Sequence, residues 1–142
     1  MSLLNVAVPP EEILAIKGLI SDLNSEQNSA IVVEGKRDAH ALKSLGLCKE
    51  VLEFHKFCGL TNFSDSVFRH ETVILLFDSD RKGRYLTKRV IGQLEHRTKI
   101  NLSYKKRITR ITQGRIKSIE DLACYCLLLD EMTFRMPNTI QD

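Results

Sequence analysis

Two carboxylates two residues apart, Asp78 and Asp80, close the apolar run Thr72-Val73-Ile74-Leu75-Leu76-Phe77. In extended backbone, side chains at that spacing point to the same side, so the pair repels itself unless a cation lies between. Hard oxygen donors of this kind suit Mg²⁺ or Mn²⁺, and Mg²⁺ characteristically keeps several waters while taking one or two carboxylates and a substrate phosphate. A second apolar run, Ala30-Ile31-Val32-Val33, ends in Glu34-Gly35, which makes Glu34 a candidate further ligand or general base. An Asp-x-Asp pair is equally a polar strand exit with helix caps, so its surroundings matter. Behind it, Arg81-Lys82-Gly83-Arg84 offers a glycine that lets backbone approach a ligand closely, and a helix start whose amide hydrogens suit a phosphate. Behind Glu34, Lys36-Arg37-Asp38 repeats that logic, with Asp38 as a fourth acid that orients Lys36 or Arg37, or simply opens the helix with a salt bridge.

Both runs are continuous and rich in β-branched residues, as strands of a sheet buried on both faces are. Val51 to Phe57 is read as a further strand, followed by a turn at Cys58-Gly59. Pro9-Pro10-Glu11-Glu12 opens an amphipathic helix, expected to pack on the domain, in which Ile13, Leu14, Ile16, Leu19, Ile20 and Leu23 follow at roughly helical spacing. Further helices are predicted from Ala39 up to Gly46, from Thr61, over Lys82 to Arg97 with Leu86, Val90, Ile91 and Leu94 as its apolar positions, and over Ile119 to Leu129 with Ser118 as N-cap. Asn101 to Ile111 is read as a fourth strand, with Tyr104-Lys105-Lys106-Arg107 as a charged excursion or a loop. Strands and helices alternating at intervals of about twenty residues imply right-handed crossovers and an α/β domain, a central, largely parallel four-stranded sheet flanked by helices. Ligands of such sheets bind beyond the carboxyl ends of the strands, where Glu34, Gly59, Asp78 and Asp80 are expected to meet. The expected organisation is an N-terminal helix and linker over 1–29, packed on the domain, the α/β domain over 30–130 and a C-terminal tail over 131–142, loose from Met136 on.

At 142 residues, 43% hydrophobic and 27% charged, the chain is the size of one domain and has neither the low hydrophobicity nor the high net charge of a disordered one. No apolar run reaches the roughly 18 residues of a membrane span, and the start lacks the pattern of an export signal, so a cytoplasmic protein without a membrane partner is expected. Cys48, Cys58, Cys124 and Cys126 have no paired metal spacing, and the last two read as apolar helix positions. His40, His55, His70 and His96 are scattered and read as structural, while Phe54, Phe57, Phe63, Phe68 and Phe77 read as core. Leu122, Cys126, Leu127 and Leu129 form an apolar stripe, also read as core. The net charge of +3 conceals an asymmetry: thirteen basic residues and one acid, Glu95, lie between Arg81 and Lys117. Such a block is an electrostatic footprint for a polyanion, because phosphate neutralisation releases condensed counterions. With few aromatics free within it, binding is expected to lean on phosphate contacts more than on base stacking.

The ordered set Val32-Val33-Glu34-Gly35-Lys36-Arg37-Asp38, Gly59, and Leu76-Phe77-Asp78-Ser79-Asp80-Arg81-Lys82-Gly83 resembles the Toprim domain of topoisomerases, bacterial-type primases, old-family nucleases and ribosomal-RNA-maturing nucleases. The resemblance spans about residues 30 to 125 and is nearest to small stand-alone Toprim proteins of archaea and some bacteria. It implies a Rossmann-like Toprim fold, Mg²⁺ (or Mn²⁺) on Glu34, Asp78 and Asp80, and Glu34 as general acid or base in phosphodiester chemistry. Lys36, Arg37, Arg81, Lys82, Gly83 and Arg84 are then candidate phosphate contacts, with Gly35, Asp38 and Gly59 in support. Family topoisomerases often carry a third acid where this chain has Lys82, and they need a tyrosine on a separate domain, so Tyr85, Tyr104 and Tyr125 are read as packing or nucleic-acid contacts. The expected function is a Mg²⁺-dependent nuclease on RNA or structured nucleic acid, RNA ahead of DNA. The alternative is a non-catalytic RNA- or DNA-binding module that works with a partner enzyme, and a nucleotide-phosphate enzyme comes third.

Overall fold

The computed structural model describes residues 8–135, and the part of the expected tail over 136–142 lies outside the described residues. Strands β1 (Ser29–Val33), β2 (Val51–Glu53), β3 (Thr72–Leu75) and β4 (Lys99–Asn101) form one sheet in the order β2-β1-β3-β4, every neighbouring pair parallel. Helices α1 (Pro10–Ser25), α2 (Lys36–Ser44), α3 (Leu60–Val67), α4 (Arg81–Leu94), α5 (Ser103–Thr112) and α6 (Cys124–Arg135) cover it. The chain therefore has the α/β architecture, with a four-stranded parallel sheet flanked by helices. Among the described residues no helix is long and apolar enough to cross a membrane.

The two-residue period of a strand sorts its apolar run onto both faces. Ile31, Val33, Ile74 and Leu76 enter one core with Ile16 and Leu19 of α1, Leu42 of α2, Ile108 of α5 and Tyr125 of α6. Ala30, Val32, Val73, Leu75 and Phe77 enter the other, against Phe63 and Val67 of α3 and Val90 and Leu94 of α4. Both faces are covered by helices, which is why neither run alternates with polar residues. Buried polar groups are paired: Glu12 of α1 accepts from Tyr125 Oη at 2.5 Å and is ion-paired with Arg115, while Tyr104 Oη donates to Glu26 at 2.5 Å. Tyr104 and Tyr125 are thus packing residues that tie α5 and α6 to α1.

Four expectations are corrected. Residues 101–111 are not a strand: β4 ends at Asn101, whose Oδ1 accepts from the Ser103 backbone N–H at 2.8 Å and turns the chain into α5. Tyr104, Ile108 and Thr112 are the buried positions of that helix, a four-residue repeat masked by the β-branched composition of the segment. The run Val51 to Phe57 pairs only as far as Glu53 and then makes a 3-10 turn over Phe54–Lys56. Ser118 precedes a 3-10 turn over Ile119–Ala123, and its side chain makes no capping bond; α6 starts only at Cys124 and continues to Arg135, into the stretch read as tail. Phe68 and Leu127, both read as core, are 50% and 60% exposed.

Candidate metal and phosphate site

From β1 the chain crosses to β2 on one side, and from β3 it crosses to β4 on the other, so the gap between the carboxyl ends of β1 and β3 is the switch point of the sheet. Glu34 directly follows β1, and Asp78 follows β3 after Leu76 N–H has extended the ladder to the Val32 carbonyl at 2.9 Å. The Asp78 N–H donates to Glu34 Oε2 at 2.7 Å, Asp78 Oδ1 accepts from Ile119 N–H at 3.0 Å, and Asp80 Oδ1 accepts from Gly83 N–H at 2.7 Å as the N-cap of α4. Each of the three carboxylates is thereby held by one oxygen on a backbone amide. The second oxygen of each has no hydrogen-bond partner among the described residues. Glu34 is 6% exposed, and burial pushes its carboxyl above the usual range against the pull of the Asp78 amide, with the Asp78 and Asp80 charges adding to the rise.

The loop between the aspartates is fixed from several directions. Ser79 N–H donates to the Lys117 carbonyl at 2.7 Å, and Arg84 Nη1 donates to the Ser79 carbonyl at 2.7 Å. A Cβ added to Gly83 would stand 2.0 Å from the Asp78 carbonyl oxygen. The sequence leads to the expectation that this glycine lets backbone approach a ligand; the close approach is instead to the chain's own Asp78, and its amide already serves Asp80. Asp38 differs from expectation too, since it pairs with neither Lys36 nor Arg37. Its two oxygens accept from the N–H groups of Gly35 (3.2 Å) and Glu120 (3.0 Å), so that Asp38 satisfies the N-cap amide of α2 and ties that helix to the turn before α6. Burial, then the charge of Asp78, pushes its carboxyl up to about 6.

Lys36 and Arg37 are exposed on the first turn of α2 and line a pocket of about 300 Å³ with Glu34, Gly35, Asp38, Asp78 and His55. Arg81 and Lys82 are exposed on the first turn of α4. Gly59 does not join this pocket; it caps α3 at a φ of 97°, a left-handed conformation that accounts for the glycine. Lys105 is the site residue that sequence reasoning did not single out. Its ammonium donates to Ser79 Oγ and lies among the charges of Asp78, Glu34 and Asp80, which raise its pKa against a larger lowering by burial. The backbone amides of Ile119 and Glu120 and the ring of His55 beside Gly35 were also not foreseen.

Among the described residues no three His, Cys, Asp or Glu side chains converge into a cage for an ion. Mg²⁺ does not require one, since it binds through one or two carboxylates and keeps its remaining positions for water and phosphate. The unpartnered oxygens of Glu34, Asp78 and Asp80 are hard, anionic donors, and one or two of them together with water and phosphate would suit that ion.

The family model for the Toprim domain matches residues 29–112, from the first residue of β1 to the last of α5. The chain belongs to the Toprim domain family, whose general character is a metal-dependent action on nucleic acid. Its relatives include UPF0292 proteins of Pyrococcus furiosus, 33% identical over 80% of this chain and 85% of that protein, and of Methanocaldococcus jannaschii, 35% identical over 75% and 86%. The fold is shared with a solved protein of Aquifex aeolicus at a TM-score of 0.64, covering 75% of this chain and 96% of that one at 24% identity.

Proposed function

We propose that the chain is a Mg²⁺-dependent nuclease acting on the phosphodiesters of RNA or structured nucleic acid. The observation that carries this reading is the trio of Glu34, Asp78 and Asp80 at the switch point, each anchored by one oxygen and open at the other. Bound there, Mg²⁺ would polarise the scissile phosphate. Glu34, whose burial favours its protonated form, takes the proton of the attacking water as the new P–O bond forms and the ester P–O bond breaks. Lys105 supplies fixed positive charge against the developing negative charge, and Lys36, Arg37, Arg81 and Lys82 hold the flanking phosphates. The test is incubation of the wild-type chain with labelled structured RNA and single-stranded DNA, with and without Mg²⁺ or Mn²⁺, reading product and retained complex together. Metal-dependent product supports the nuclease. Retention without product under every metal makes the chain a binding module for a partner enzyme.

Two further outcomes are expected. Lys105→Met should lower turnover by about 10²-fold, the usual cost of one preorganised electrostatic contact, with an unchanged melting temperature; undiminished turnover would remove Lys105 from the chemistry. The second concerns pH. Asp38 and Glu34 have folded pKa values raised above their unfolded ones, so their contribution to stability is full at low pH and is lost as pH rises through about 6, the value for Asp38. A cation offsets the carboxylate repulsion left above that point. Saturating Mg²⁺ should raise the melting temperature by about 8 °C near pH 7.5 and by less than half of that near pH 5. An equal rise at both would contradict the assignment.

A further inference from the structure

Helix α4 buries Gly83, Val90 and Leu94 and turns the opposite face outward. On that face Arg81, Arg84, Tyr85, Lys88, Arg89 and Gly92 are all exposed, at the three- and four-residue steps of one stripe. The helix holds no acid, and the ion pairs among the described residues fall instead on Lys56, His96, Arg97, Arg107 and Arg115. Within the basic block, charges on α5 and beyond are thus partly neutralised inside the molecule, whereas those of α4 face solvent. Tyr85 stands in the middle of this stripe and is 62% exposed, more than any other large apolar side chain described, so it is not a packing residue. The Arg89 guanidinium lies 5.9 Å from its ring centroid, and Gly92, further along the same face, has nothing within 4 Å of where a Cβ would be. The stripe starts at Asp80, and Tyr85 is about 7.5 Å along the helix axis from it.

Resting on the nucleic-acid reading above, we propose that this face of α4 binds an unpaired segment of the strand, with Tyr85 as the stacking platform for one base and Arg81, Lys88 and Arg89 on the neighbouring phosphates. Phosphate contacts alone do not tell single from double strand. The ring does, because a base in a duplex already has both faces stacked, whereas an unpaired base lays its face on an aromatic side chain. Arg89 beside the ring adds a cation to the same platform. The site thereby selects single-stranded or looped nucleic acid and delivers it to the carboxylate edge at the start of the helix.

The experiment measures binding by the full chain with metal chelated, so that cutting does not intervene. The probes are a mixed-sequence single strand, its duplex, and a single strand of the same backbone lacking bases over its central positions. Tyr85→Ala should weaken the single strand about five- to 150-fold, the range for one lost base–aromatic stack, and leave the duplex and the abasic strand unchanged. Tyr85→Phe should restore the single strand. Unchanged single-strand binding by Tyr85→Ala, an equal loss on duplex and abasic strand, or no binding of any probe at low salt would overturn the proposal. A chain that binds as expected but never cuts would overturn the nuclease reading and leave this one standing.

Discussion

Replacing Glu34 with Gln is expected to lower turnover by at least about 10²-fold while leaving the affinity for nucleic acid nearly intact, because it removes a proton acceptor without removing a phosphate contact. The substitution is conservative in structure. Glu34 Oε2 accepts the Asp78 N–H at 2.7 Å, and a glutamine carbonyl can accept the same bond, so the loop after β3 keeps its anchor. What changes is charge, and burial already disfavours that charge in the folded chain, so the variant should melt at or slightly above the wild-type temperature in the absence of metal. Steady-state kinetics and a binding isotherm on the same preparation check the two halves together. Wild-type turnover in the variant would exclude Glu34 from proton transfer; a parallel collapse of binding would make it a structural residue.

The largest structural effect is expected from Gly83→Ala. Two forces oppose each other: alanine is favoured over glycine within a helix by up to about 1 kcal/mol, yet overpacking against a fixed neighbour costs about 1–3 kcal/mol or more. Here the neighbour is the Asp78 backbone, with its carbonyl oxygen 2.0 Å from the new Cβ, and no side-chain rotation relieves the contact. Sterics win, and the variant should lose at least about 2 kcal/mol of stability and, as the Asp78 loop is displaced, the stabilising response to Mg²⁺. Gly92→Ala provides the control on the same helix, since a Cβ there meets nothing within 4 Å and should stabilise by a few tenths to about 1 kcal/mol. Denaturant melts of the two variants side by side decide the matter. Equal stabilisation by both would mean that the loop after β3 is free to move.

The legibility of the site follows from which interactions leave a mark in sequence. Continuous apolar runs at Ala30 to Val33 and Thr72 to Phe77 signal strands covered on both faces, and their terminal acids then fall at one sheet edge by topology. Tyr104, Ile108 and Thr112 carried the helical spacing of α5, but isoleucine and threonine also suit strands, and composition outweighed period. That misreading concealed Lys105, which reaches Ser79 only because the segment coils back from β4 toward the end of β3. The amides of Ile119 and Glu120 were invisible for a different reason: backbone donors are common to almost every residue type, so nothing in the side chains announces them. The outward face of α4, by contrast, is legible, since the three- and four-residue steps of Leu86, Val90, Ile91 and Leu94 mark its inner face and Tyr85 lies off it.

Cutting and holding readings alike place a divalent cation at the edge shared by β1 and β3, so the most direct measurement is a Mn²⁺ titration of the wild-type chain and of Asp78→Ala, following the electron paramagnetic resonance of the free ion. Saturable uptake is expected for the wild type, competed by Mg²⁺ and lost in the variant, with Asp38 and Glu34 unable to replace the missing carboxylate. Uptake that is absent from both chains, or identical in both, would contradict it.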